Sequence, residues 1–108
     1  MTEATNESQV VSRIVKAVRE AYPGCWDAKI HGNGYQRSGI PDLLFCVEGR
    51  FVGIEVKHQK PGESEEHMLG RVTMIQKREL RNIKKAGGTS GVAWTVEQAL
   101  DIVASALS

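Results

Sequence analysis

The chain has 108 residues, 41% hydrophobic and 25% charged, with a formal net charge of +1. That length fits one domain with one core, residues 1–108, and the composition is that of a soluble globular protein, which excludes disordered and membrane classes. No apolar run approaches the ~20 residues that span a bilayer, and the polar, acidic opening MTEATNESQVV has no secretory pattern, so no membrane partner and a cytoplasmic location are expected. Cys25 and Cys46 form no CxxC pair and no disulfide framework; both lie in apolar segments and are expected as buried free thiols.

Residues 6–21 repeat Val11, Ile14, Val15, Val18, Ala21 and Tyr22 at helical spacing, with Thr5 as the expected N-cap and Tyr-Pro-Gly as the stop. Glu7, four residues before Val11, falls on the core-facing side of that helix. An acid in the first turn that favours the helix dipole is the alternative reading of Glu7. Residues 25–32, CWDAKIHG, suit a strand, and the glycine-rich residues 32–39 a loop.

The hairpin GIPDLLFCVEGRFVGIEVK follows. A two-residue Glu48-Gly49 turn pairs Val47 with Arg50, and counting outward pairs Cys46 with Phe51, Phe45 with Val52, Leu44 with Gly53, Leu43 with Ile54 and Asp42 with Glu55. Parity supports this register. It gathers Leu43, Phe45, Val47, Val52, Ile54 and Val56 on one apolar face and leaves Asp42, Glu55 and Lys57 on the other. Two carboxylates ~4.5–5.5 Å apart at Cβ repel in a ladder and lose hydration when buried. Lys57 as a salt-bridge partner is one compensation; a divalent cation such as Mg²⁺ or Mn²⁺, which takes oxygen ligands, is the other. His31, His58 and His67 show no zinc-ligand spacing.

After a polar excursion over residues 58–72, a Thr73-x-x-Gln76 box opens a helix that carries Ile75, Leu80 and Ile83 on one face. From Arg71 to Lys85 six Lys or Arg stand against the single acid Glu79, a run that suits either phosphate contact or a solvated face. Gln76 is either the capping residue of Thr73 or a support for Lys57, and one position can serve both. Ser90–Thr95 suit a short buried strand, and a Thr95-x-x-Gln98 box opens a C-terminal helix with Leu100, Val103 and Leu107 on its face. The order is αβββαβ followed by a helix, an α/β class, and its βαβ unit makes the third and fourth strands parallel.

Pro41-Asp42 followed by Glu55-Val56-Lys57 resembles the signature of the PD-(D/E)XK nuclease superfamily. The wider pattern, GYQRSGIPDLLF, then GRFVGIEVK, Thr73, Gln76 and KKAGG, is similar to its VRR-NUC branch across essentially the whole chain. The resemblance implies a restriction-endonuclease-like αβββαβ core, a mixed sheet flanked by helices. It implies Mg²⁺ or Mn²⁺ held by Asp42, Glu55, the Val56 carbonyl and Glu7, with Lys57 as the catalytic lysine and Gln76 as its support. It further implies DNA hydrolysis by a homodimer that cuts branched DNA such as Holliday junctions. Lys29, Arg37 and Ser38 flank the site in sequence, and with Lys77, Arg78 and Arg81 of the basic helix they are the candidate DNA contacts. A non-catalytic nucleic-acid-binding module, or a nuclease subunit active only within a larger complex, is the alternative.

Overall fold

The computed structural model describes residues 3–31 and 37–108; part of the glycine-rich segment lies outside them. A four-stranded sheet in the order β1-β2-β3-β4 organises the chain, with β1 (Trp26–Lys29), β2 (Leu43–Val47), β3 (Arg50–Val56) and β4 (Thr89–Ala93). β1 and β2 are antiparallel, as are β2 and β3, while β3 and β4 run parallel, as the βαβ unit requires. Among the described residues, four helices accompany the sheet: α1 (Glu7–Ala21), α2 (Glu65–Leu69), α3 (Met74–Lys85) and α4 (Val96–Leu107). None is long and apolar enough to cross a membrane.

The hairpin register is the one parity demands, from Val47 opposite Arg50 to Leu43 opposite Ile54. Its turn holds Glu48 at φ 51° and Gly49 at φ 80°, both left-handed, which matches the right-handed twist of the flanking strands. Alternation then sorts the sheet into two faces. Leu43, Phe45, Val47, Val52, Ile54 and Val56 lie fully buried beneath α1 and α4, which contribute Ile14, Val18, Ala99 and Val103 to the same core. α3 covers the other face only over β3 and β4.

Several expectations shift in detail. Asn6, not Thr5, caps α1: its side chain accepts the Gln9 N–H at 2.9 Å, while Gln9 accepts the Thr5 N–H at 2.8 Å. Asn is at least as good an N-cap as Thr, and here it has a Gln three residues on. The excursion after β3 contains the five-residue α2, whose Met68 is fully buried. Cys46 is exposed and Cys25 half-buried, against the expectation of two buried thiols. Parity places Cys46 on the α3 side of β2, which α3 does not cover.

One glycine fixes how the approach to β2 meets α3. Gly39 has φ +86°, and a Cβ there would stand 2.5 Å from Ile75 Cγ2 and 2.9 Å from the Ile75 carbonyl oxygen. A side chain would thus meet both backbone strain and a helix that cannot yield. Gly39→Ala is expected to destabilise the protein by about 1–3 kcal/mol, read from urea unfolding. Gly49→Ala, with open space around its Cβ, meets only the strain of its positive φ and is the milder change.

Candidate active site

Beyond Leu43 the β2–β3 ladder stops, and the next two pairs in register are Asp42 with Glu55 and Pro41 with Val56. Pro41 has no N–H to donate. The Val56 N–H donates to the Asp42 side chain, to Oδ2 at 2.8 Å, and the Ile30 N–H donates to the Asp42 carbonyl at 2.8 Å. Asp42 is therefore tied to β3 through its side chain and to the end of β1 through its backbone. Because ladder groups alternate sides, and the Lys57 N–H donates to Ala93 of β4, the Val56 peptide groups face β2. There the Val56 carbonyl meets a proline that offers it no donor.

Glu55 is buried beside this corner, only 2% exposed. Gln76 Nε2 donates to its Oε2 at 3.0 Å, and Lys57 Nζ lies 3.7 Å from the same oxygen. Among the described residues, its Oε1 is buried with no hydrogen-bond partner. Gln76 occupies the third position of α3 and performs both roles its position allows: its Oε1 accepts the Thr73 N–H at 2.9 Å while its amide nitrogen reaches Glu55. Lys57 is itself nearly buried.

Electrostatics follow from this crowding. Burial, then the neighbouring Asp42 carboxylate, pushes the Glu55 carboxyl up to about 8, with Lys57 pulling the other way. Glu7, at the start of α1, is also raised, first by burial and next by Asp42, while Lys57, Arg71 and His58 oppose the shift. Glu7 is thus within electrostatic reach of the strand residues. Among the described residues, no three His, Cys, Asp or Glu side chains gather at metal-ligand spacing, so the two strand carboxylates stand as a pair.

The Lys57 ion pair alone does not account for this arrangement, because it leaves one Glu55 oxygen buried and unsatisfied, a costly state. A proton or a cation on Glu55 removes the deficit. The donor set fits a hard divalent cation: two carboxylates and the Val56 carbonyl opposite Pro41, all oxygen, with the remaining positions left to water as Mg²⁺ prefers.

The segment after Lys57 is held by a second cluster that the sequence did not single out. Glu63 accepts from Arg71 Nη2 at 2.8 Å and Nε at 3.2 Å, and pairs with His67 Nδ1 at 2.6 Å. Arg71 and the other donors hold its carboxyl at about 2. Arg71 also donates to the His58 carbonyl at 2.7 Å, and His58 Nε2 bonds the Ala4 carbonyl at 2.9 Å, so the residue after Lys57 is fastened to the approach to α1.

The candidate DNA contacts divide. Lys77, Arg78 and Arg81 are exposed on α3, and Ser38 is exposed beside Gly39. Arg37 is exposed yet anchored: its Nε and Nη2 each lie 3.2 Å from the carboxylate of Glu79, which is buried and also has Arg78 within 3.8 Å. Lys29 is not brought to this face. It pairs with Leu43, so its side chain is on the α1 side of the sheet, beside Arg19 and Asp27.

No protein-family model and no curated protein match the sequence. Solved structures do match the fold, among them two VRR_NUC domain structures. One, described as a "VRR_NUC domain", shares 27% identity and a TM-score of 0.57 over 94% of this chain and 97% of its own. The other, a "VRR_NUC domain protein", has 18% identity and a TM-score of 0.65, covering 99% of this chain and 91% of its own.

The raised Glu55 carboxyl gives a signed pH dependence. Its folded value of about 8 exceeds the usual 4.5, so its contribution to stability is full below 4.5 and is lost as pH rises through 8. In EDTA, the melting temperature of the wild type is expected to fall between pH 6 and pH 9 by on the order of 5–10 °C more than that of Glu55→Gln. Parallel curves for the two proteins would contradict the assignment.

Proposed function

This chain belongs to the VRR-NUC family of PD-(D/E)XK nucleases, and we propose that it is a Mg²⁺- or Mn²⁺-dependent endonuclease that hydrolyses DNA phosphodiester bonds. The observation that carries the reading is the buried, unpartnered Glu55 Oε1 in register with Asp42 and beside Lys57. The cation, when bound, lowers the pKa of a coordinated water and offsets charge on the phosphate oxygens. Asp42, Glu55 and the Val56 carbonyl would hold it, with Glu7 of α1 as a further carboxylate toward it. Lys57 orients the attacking water and stabilises the charge that develops on the phosphate, from a nearly desolvated position where its field is strong. Gln76 keeps Glu55 in place from the helix side. The exposed basic residues of α3 meet the DNA backbone and give binding a salt dependence.

One chain carries one such site, and symmetric scission of a branched substrate needs two. We extend the proposal to a homodimer acting on branched DNA such as four-way junctions. A panel of four-way junction, flap, duplex and single-stranded DNA, each with Mg²⁺, Mn²⁺ or EDTA, tests it. Metal-dependent cutting is expected, falling at least about 100-fold in Asp42→Asn and Lys57→Ala and less in Glu7→Gln. Undiminished cutting by Asp42→Asn would contradict the reading. Salt-sensitive binding without cutting on any substrate would favour a non-catalytic binding module instead.

A further inference from the structure

The sheet face that carries Asp42 and Glu55 is covered by α3 only in part, and what remains open is aromatic. Trp26 pairs with Cys46 and Cys46 with Phe51, so the three side chains form one row across β1, β2 and β3 on that face. All three are open to solvent, Trp26 by 57% and Phe51 by 42%. Such large apolar side chains are normally buried, and two in register on one sheet face mark a contact surface. The row lies four residues along the strands from Asp42 and Glu55, roughly 13 Å away.

What borders the row decides what it meets. α3 runs from the site toward it: Gln76 reaches Glu55, Ile83 packs over Gly53, and a Cβ at Gly88 would touch Phe51 Cδ2 at 3.2 Å. Glu79 lies between those contacts, and it holds Arg37 and Arg78 with their side chains 70% and 56% exposed. Two guanidiniums, one fixed by a buried acid, therefore stand between the carboxylate pair and the aromatic row. A protein partner could meet the same aromatic and Arg side chains, but it offers no regular run of phosphates to neutralise the two guanidiniums. Aromatic side chains beside a cationic rail are instead the arrangement that stacks unpaired bases while neutralising their phosphates.

We propose that Trp26 and Phe51 form a base-stacking platform for unpaired nucleotides of the DNA substrate, with Arg37 and Arg78 contacting the intervening phosphates. The platform rests on the reading of the chain as a DNA nuclease and adds what that reading leaves open. It lets the protein distinguish DNA with unpaired bases near the cut from continuous duplex, whose bases are already stacked.

The test uses the full chain in EDTA, so that binding is separated from cutting. Fluorescence anisotropy compares a duplex bearing an unpaired five-nucleotide tail with the same duplex blunt-ended. Trp26→Ala and Phe51→Ala are each expected to weaken binding of the tailed duplex about tenfold, within the span of stacking losses. Both variants should leave blunt-duplex binding within about twofold, and Trp26→Tyr and Phe51→Tyr should retain most tailed-duplex affinity. In Trp94→Phe, where Trp26 is the remaining tryptophan, the tailed duplex should quench emission more than the blunt one. Wild-type affinity of both alanine variants for the tailed duplex would overturn the platform. So would light scattering that shows a wild-type dimer converted to monomer by Phe51→Ala, which would assign the row to a second copy of the chain. A protein that binds tailed DNA through Trp26 and Phe51 yet cuts nothing with Mg²⁺ or Mn²⁺ would support the platform and overturn the nuclease reading.

Discussion

Asp42 and Glu55 are in register at the open end of an apolar hairpin, and much of the surrounding structure is organised by that repulsion. Left alone, two adjacent carboxylates in a low-dielectric corner would drive the strands apart or shed a charge. The fold answers with partial compensation. The Val56 N–H donates to one Asp42 oxygen. Gln76 and Lys57 share one Glu55 oxygen. The other Glu55 oxygen is left over, and its carboxyl consequently rises to about 8. An oxygen-rich corner with a buried, unsatisfied carboxylate oxygen is what the proposed divalent cation would complete.

The elements around this corner are economical. β3 carries Glu55 and leads directly into Lys57, two residues on and on the same face by strand alternation. The opposite side of the same strand supplies Val52, Ile54 and Val56 to the core, so the site is fixed by the best-packed part of the molecule. α3 begins with a capping box whose glutamine also reaches Glu55, which sets the helix start relative to the site within hydrogen-bond tolerance. At the other end of the site, the Arg71–Glu63 pair and His58 tie the exit of β3 to the approach to α1, and α1 begins with Glu7.

The hairpin and its charged corner were legible in the sequence because period-two alternation and a two-residue turn constrain register independently, and both gave the same pairing. The αβββαβ order was legible for similar reasons, since α1 announced itself by an apolar stripe and α3 and α4 by a capping box as well. What escaped depends on contacts distant in sequence. Arg37 and Glu79 are 42 positions apart, and nothing local marks Glu79 beyond its being the one acid in a basic run. Lys29 was placed near the site by proximity in sequence, but its face is set by the β1–β2 register, across a loop whose length no turn signal fixes. The short α2 hides in a polar segment whose burial rests on a single methionine. Cys46 could have been read as exposed by parity alone, had the reach of α3 across the sheet been known.

The central claim is that Asp42 and Glu55 together hold one divalent cation, with Glu55 releasing its proton to solvent as the cation binds. Mn²⁺ titration followed by electron paramagnetic resonance at neutral pH tests this without reference to any substrate. The account predicts one bound Mn²⁺ per chain in the wild type, affinity that strengthens as pH rises toward 8, and a loss of more than about tenfold in either Asp42→Asn or Glu55→Gln. Equal Mn²⁺ affinity in the wild type and both variants would contradict it.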